Sequence, residues 1–212
     1  MPQVTANGLQ FEYDVHGAAS DPAVLLIMGF SAQMTMWPMS FVNGLVERGF
    51  RVVRFDNRDI GLSAKLDDKG PPDIAAAMGA AMTGQRYQGA PYLLDDMAAD
   101  AAGLLDALDV ERAHVVGASM GGMIAQIVAA RHAARTLSLT SIMSTTGRPG
   151  LTPARPEIMA ALMTPPASEA REDRRRQFMH TFRTIGSPGF PATDEEINAL
   201  ADMQVDRAPY HP

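Results

Sequence analysis

The segment Ala113–Ala130 constrains the fold most, because it is long and carries no formally charged side chain. Its length reaches the lower edge of what a membrane-spanning helix needs. However, glycines interrupt it at Gly117 and at Gly121-Gly122, and it also contains a histidine, a serine and a glutamine. These interruptions favour a buried strand followed by a buried helix over a membrane span.

Apolar runs and helical periodicity alternate along the first 150 residues. Apolar or alternating runs predict strands at Gln3–Ala6, Leu9–Val15, Ala23–Met28, Arg51–Phe55, Ala113–Val116 and Thr136–Met143. Helices are predicted at Phe41–Arg48, Tyr92–Leu108 and Met120–Ala133, with a polar, glycine-containing loop before the second of them. Asn7-Gly8 joins the first two strands in a hairpin. This order predicts an α/β fold, a mostly parallel sheet with helices on both faces.

The pattern changes near residue 150. Residues 151–212 contain helical or irregular stretches and no further apolar strand, with breaks at Pro165-Pro166 and at Ser187-Pro188-Gly189. We therefore predict an α/β core at residues 1–150 and a partial helical cap at residues 151–212.

Composition excludes several classes of function. The chain has 18 basic and 24 acidic residues, a formal net charge of −6, so no positive field would attract nucleic acid. Without cysteine there are no disulfides, thiolate metal sites or cysteine nucleophile.

The first residues lack the basic and apolar regions of a signal peptide. We expect a cytoplasmic protein with no cofactor, metal ion, nucleic-acid partner or membrane partner.

A G-x-S-x-G motif lies between a predicted strand and a predicted helix, at Gly117-Ala118-Ser119-Met120-Gly121. A serine on such a sharp turn projects its hydroxyl from the sheet edge, and the glycines on either side avoid collisions. Ser119 is therefore the candidate nucleophile. The alternative is a helix N-cap serine in a glycine turn. The glycine spacing fits neither a phosphate loop nor a dinucleotide fingerprint.

Three segments, 115–126 (VVGASMGGMIAQ), 25–38 (LLIMGFSAQMTMWP) and 55–63 (FDNRDIGLS), resemble α/β-hydrolase esterases, in particular bacterial proteins similar to aclacinomycin methylesterase. The resemblance implies a carboxylic-ester hydrolase that forms a serine acyl-enzyme and acts on a small-molecule ester. It also implies an oxyanion hole formed by the backbone N–H groups of Phe30 and Met120. Many members have His-Gly where this chain has Met28-Gly29, which leaves the backbone donor available.

Side chains near these segments have two interpretations. Met28 and Trp37 are candidate walls of an apolar substrate pocket, or they fill the core. Asp56 and Asp59 either have a catalytic task or hydrogen-bond their loop to neighbouring turns. We favour the hydrogen-bonding interpretation for both aspartates.

The general base is the part that the sequence does not supply. Of the histidines after Ser119, His132 lies about 20 Å along the predicted helix, His180 lies among cap arginines, and His211 is penultimate. The resemblance places the catalytic acid and histidine after the cap, so we expect them in a missing C-terminal segment. The chain alone would then be an impaired enzyme. The alternatives are a non-catalytic hydrolase-like binding domain, or a lactonase or cofactor-free haloperoxidase-like enzyme.

The strand Thr136–Met143 is predicted to form an exposed edge of the sheet, since no further strand follows it in the sequence. An uncharged edge of this kind recruits another strand. We expect it to pair with a C-terminal fragment, to form a homodimer or to aggregate.

Overall fold

The computed structural model describes residues 2–70, 72–85, 87–148, 150–152 and 154–208 of the 212-residue chain. The chain divides into two compact units, one ending at Thr146 and the other beginning at Gly147.

The first unit is built on a six-stranded sheet in the order β1-β2-β4-β3-β5-β6. The strands are β1 (Gln3–Ala6), β2 (Leu9–His16), β3 (Ala23–Ile27), β4 (Arg51–Phe55), β5 (Ala113–Ala118) and β6 (Thr136–Ile142). β1 and β2 form the predicted hairpin, β2 pairs antiparallel with β4, and the remaining pairs are parallel. The predicted α/β fold with a mostly parallel sheet is confirmed.

The helices follow the predicted order with one addition. The first unit contains α1 (Met39–Val46), α2 (Ile74–Met82), α3 (Leu94–Ala107) and α4 (Met120–Arg131), and the second contains α5 (Pro156–Met163), α6 (Arg171–Ile185) and α7 (Asp194–Arg207). We predicted a loop where α2 lies, which is wrong. This segment is rich in alanine and lacks an amphipathic stripe, so its intrinsic helix propensity was the only signal.

The uncharged segment Ala113–Ala130 forms a strand and a helix, as predicted. β5 and α4 account for it, with the turn at Ser119 between them. Within the part of the chain that the structure describes, no helix combines the length and the apolar character that a membrane crossing requires.

Helices cover both faces of the sheet, and alternate residues of the strands pack against each. On one face, Leu25 and Val115 pack with α3 and α4. On the other face, Val24 and Leu26 pack with Val42 of α1. All five residues of β3 are buried, so the core holds the carboxyl end of this strand in place, and the loop that follows it begins from a fixed position.

The second unit consists of helices where the structure describes it, with no strand in residues 147, 148, 150–152 and 154–208. Ion pairs join α6 to α7, where Arg171 contacts Asp202 at 2.8 Å and Asp206 at 2.7 Å. Hydrogen bonds to these carboxylates raise the pKa of Arg171 and outweigh the opposing effect of desolvation, with a further contribution from their charge. A capping box between Thr193 and Glu196 begins α7.

Candidate active site

Ser119 occupies a sharp turn between β5, which ends at Ala118, and α4, which begins at Met120. Its backbone angles are φ 55° and ψ −124°, and its side chain is exposed. A non-glycine residue in this region of φ/ψ space is strained, and such strain collects at functional sites. The Ser119 amide donates to the carbonyl of Ile142 on β6 at 3.0 Å, so the sheet itself holds the turn.

The glycines of the motif are required by close backbone contacts. A Cβ on Gly117 would lie 2.0 Å from the carbonyl oxygen of Gly121. A Cβ on Gly121 would lie 2.2 Å from the Ile27 oxygen and 2.7 Å from the Met28 oxygen. The first turn of α4 therefore rests directly on the end of β3, which only glycine permits.

The same packing brings the predicted oxyanion segment beside Ser119, the candidate nucleophile. A Cβ on Gly29 would lie 3.0 Å from Cβ of Ser119 and 3.4 Å from the Met120 nitrogen. Among the described residues, neither the Phe30 nor the Met120 amide has a hydrogen-bond partner. The start of α4 adds the positive end of its helix dipole. Two free N–H groups and a serine hydroxyl thus share the carboxyl edge of the sheet.

The segment from Met28 to Trp37 is held by side chains from β4 and the loop after it. Asn57 Nδ2 donates to the Met28 carbonyl at 2.8 Å. Asp56 Oδ1 accepts the Met34 amide at 2.8 Å. Arg54 Nη1 donates to the Trp37 carbonyl at 2.8 Å. All three side chains are buried, so this loop is attached to the neighbouring strand at its beginning, middle and end.

Arg54 is itself paired with Asp14 of β2, to which its Nε donates at 2.9 Å and its Nη2 donates a second bond. Burial alone would raise the pKa of Asp14. The hydrogen bond and charge of Arg54, with smaller contributions from His16, outweigh that burial and lower the pKa. The pair thus carries an ionised carboxylate at neutral pH.

A second buried ion pair anchors the loop that follows β4. Nε and Nη2 of Arg58 each donate to the Asp100 carboxylate of α3 at 2.7 Å, and the guanidinium lies 4.9 Å from the centre of the Tyr92 ring. Asn7 donates to the same carboxylate at 2.8 Å. Burial would lower the pKa of Arg58, but hydrogen bonding and charge from Asp100 raise it overall.

Asp56 and Asp59 hydrogen-bond backbone amides, as predicted. Besides Met34, Asp56 accepts the Leu62 amide at 3.0 Å, and Asp59 accepts the Leu66 amide at 2.7 Å. Sequence reasoning missed Arg54 and Asn57. The signals were a charged residue within a buried strand, for Arg54, and polar residues directly after that strand, for Asn57, since buried polar side chains need partners.

The two candidate pocket residues lie in the core on the α1 face of the sheet. Met28 and Trp37 are buried and belong to one cluster with Val24 and Leu26. The Trp37 ring stacks on Phe41 with 5.5 Å between ring centres. This packing accounts for both side chains as core residues, and their role in a substrate pocket stays a prediction.

The first unit supplies no histidine to Ser119. His114 is the second residue of β5, about 17 Å along the strand from the serine, and hydrogen-bonds Ser138. His16 pairs with the amino half of β4, and His132 ends α4. All three therefore lie at the opposite edge of the sheet from Ser119. His180 belongs to α6 in the second unit, and His211 lies outside the described residues.

β6 forms one edge of the described sheet and pairs there with β5 alone. Residues 137–142 are exposed, including Leu137 and Leu139 at 42% and 41%. The predicted exposed edge is thus present in the described part of the chain. What it binds stays a prediction.

Comparison with known proteins agrees with this geometry. Residues 22–194 match the model of a family described as alpha/beta hydrolase fold, and the chain belongs to that family. It is similar to rhodomycin D methylesterase DauP of Streptomyces sp. strain C5, with 31% identity over 181 residues that cover 85% of this chain and 53% of the relative. It is also similar to rhodomycin D methylesterase DnrP of Streptomyces peucetius, with 35% identity over 60% of this chain and 36% of the relative.

A solved structure extends the likeness over nearly the whole chain. A membrane phospholipase A, described as a bacterial virulence factor, superposes with a TM-score of 0.65 and 26% identity, covering 98% of this chain and 58% of that one. The chain thus spans about half the length of the proteins that it matches, at 53% of DauP and 58% of the phospholipase.

Proposed function

We propose that this chain carries the nucleophile and the oxyanion hole of a serine hydrolase that cleaves carboxylic esters. One observation supports this more than any other. The strained Ser119 turn lies within van der Waals reach of the Gly29 backbone, beside two amides without partners among the described residues. Such amides bind the negative oxygen that forms when a hydroxyl attacks an ester carbonyl.

The reaction would take two steps. Ser119 Oγ bonds to the carbonyl carbon and gives its proton to a general base, while the carbonyl oxygen becomes an oxyanion that accepts hydrogen bonds from Phe30 and Met120. Collapse of this intermediate breaks the ester C–O bond, and the leaving alkoxide takes the proton from the base. A water molecule then hydrolyses the acyl-enzyme by the same route and regenerates the serine.

The general base would come from outside the first unit, because His16, His114 and His132 lie at the far edge of the sheet. We propose that the base and its orienting carboxylate belong to a C-terminal segment that the 212 residues do not include. The greater length of the relatives supports this proposal. The alternative sources are His180 and His211.

The same proposal gives the exposed β6 edge its partner. A strand from that C-terminal segment, or β6 of a second copy, would complete the sheet there. Size-exclusion chromatography with and without the segment separates the two. A Leu139→Lys substitution, which adds charge to the edge, would weaken either pairing.

For the substrate we propose a methyl ester of a small molecule, since DauP and DnrP are named as methylesterases. A non-catalytic binding domain is the competing possibility. It predicts binding of an apolar ligand that is unchanged when Ser119 is replaced by alanine.

The proposal is tested with a fluorophosphonate probe, which labels activated serines covalently. Mass spectrometry of a tryptic digest should place the label on Ser119, and the Ser119→Ala variant should remain unlabelled. Without a base, the chain should turn over only activated aryl esters, slowly, at about 10³- to 10⁴-fold over water. Adding the C-terminal segment should raise the rate. Absence of label in the presence of that segment would refute the proposal.

A further inference from the structure

We propose that Asn57 is a positioning residue that sets the direction of the Phe30 N–H in the oxyanion hole. This inference rests on the proposed function. It concerns a buried side chain that lies on a different strand connection from Ser119. Its evidence is a hydrogen bond to the Met28 carbonyl, two residues before the donor.

The hydrogen bond matters because of the backbone between the two groups. The Met28 carbonyl belongs to the peptide plane before Gly29, and the Phe30 N–H belongs to the plane after it. A glycine joins them, so side-chain sterics do little to fix their relative rotation. The Met28 oxygen also faces the first turn of α4, where a Cβ on Gly121 would approach it to 2.7 Å. Asn57 therefore holds a carbonyl that the glycine alone leaves free to turn.

The other end of this segment is fixed from the same strand end. Asp56 Oδ1 accepts the Met34 amide at 2.8 Å, and Ala32 donates to the Gly29 carbonyl at 3.3 Å. Ser31 between them has a φ of 56°, an unfavourable angle for serine. A loop in this conformation needs external hydrogen bonds to persist. Asp56 and Asn57 supply such bonds on both sides of Phe30.

Asn57 can act in this way because its own backbone is part of a rigid platform. The amide of Asp56, one residue earlier, donates to the Glu12 carbonyl of β2 at 3.0 Å. The Asp56 carbonyl accepts the Ser63 hydroxyl at 2.7 Å, and that hydroxyl accepts the Glu12 amide at 3.0 Å. Asn57 is 2% exposed, so water does not compete for the Met28 carbonyl.

The test compares Asn57→Asp and Asn57→Ala with Asp59→Asn in the full chain. Asp59 lies in the same loop and bonds the Leu66 amide instead of the Met28–Met34 segment, so its variant is a matched isosteric control. The readouts are the rate constant for phosphonylation of Ser119 and the kcat and KM for an activated aryl ester, each followed from pH 4.5 to pH 8.

At pH 8 both Asn57 variants should lose about 10- to 100-fold in phosphonylation rate and kcat, with KM nearly unchanged, because a misdirected donor stabilises the oxyanion poorly. The loss of rate in Asn57→Asp should become smaller toward low pH, because a protonated carboxyl group can donate to the Met28 carbonyl. The loss of rate in Asn57→Ala should be the same at every pH. Asp59→Asn should remain within about twofold of the wild type.

The outcomes separate this inference from the proposed function. If the wild type carries no label on Ser119 even in the presence of the C-terminal segment, the proposed function itself fails. If the wild type is labelled and the folded fraction of both Asn57 variants reacts at the rate of Asp59→Asn, then Asn57 contributes only to stability and this inference is wrong. The inference is also wrong if the loss in Asn57→Asp matches that in Asn57→Ala at every pH. Should Asn57→Asp fail to fold, the alanine variant decides through its kcat.

Discussion

Substituting Gly121 with alanine should destabilise the first unit severely, although alanine is the better helix former. The added Cβ would lie 2.2 Å from the Ile27 carbonyl oxygen, whereas ordinary van der Waals contact begins near 3.4 Å. α4 and β3 would therefore have to separate by about 1.2 Å. Both are buried main chain, so no side chain can rotate away. Overpacking of this kind costs about 3 kcal/mol or more, which exceeds the gain in helix propensity of about 1 kcal/mol.

The assay is thermal unfolding followed by circular dichroism, with a graded set of glycine variants. A loss of about 3 kcal/mol corresponds to a fall in Tm of about 6–12 °C for a chain of this length. Gly79→Ala in α2 is the matched control, because nothing lies within 4 Å of its Cβ, and its Tm should stay equal or rise. Gly29→Ala, at 3.0 Å from backbone, should fall between the two. A Tm for Gly121→Ala within about 2 °C of the wild type would refute the reasoning.

Three further perturbations test other interactions. Asp100→Ala leaves the buried charge of Arg58 unpaired and should lower the free energy of unfolding in urea by about 3–5 kcal/mol, whereas replacing both residues by apolar ones should cost less. The lowered pKa of Asp14 contributes to the free energy of unfolding at pH values above about 3.8, the pKa in the unfolded chain, and this contribution is lost as the pH falls through the lower folded pKa. Asp14→Asn removes this titration, so the urea midpoint of the variant should depend less on pH in the acid range. Thr193→Ala removes the N-cap of α7 and should cost the second unit about 1 kcal/mol in chemical denaturation; an unchanged midpoint would show that the cap is not needed.

The strands could be predicted closely because each is a short apolar or alternating run bounded by turn residues. β4 has the predicted bounds, and β3 is one residue shorter than predicted. α2 was missed because a helix without an amphipathic stripe leaves only composition as a signal. The exposed edge at β6 could be predicted because an uncharged run of suitable length is not followed by another strand in the sequence.

The residues of the candidate site also differ in how far they can be predicted from local sequence. Ser119 and the Met28–Phe30 segment could be singled out as candidates because each lies within a contiguous motif whose chemistry is local. The bond from Asn57 to Met28 spans 29 positions, and that from Arg58 to Asp100 spans 42. Pairings over such distances depend on strand order and on the packing of α3, which no single stretch of sequence encodes.

The strain at Ser119 has a consequence for engineering. A glycine adopts φ 55° and ψ −124° far more easily than serine does, so Ser119→Gly would relieve about 1–3 kcal/mol of backbone strain while removing the proposed nucleophile. A library of this chain selected only for resistance to heat or protease should therefore enrich glycine at position 119. The surviving clones would be more stable but would lack the proposed nucleophile. A selection for stability should therefore also test each round for covalent labelling at position 119, because the substitution that increases stability there removes the group that the probe would label.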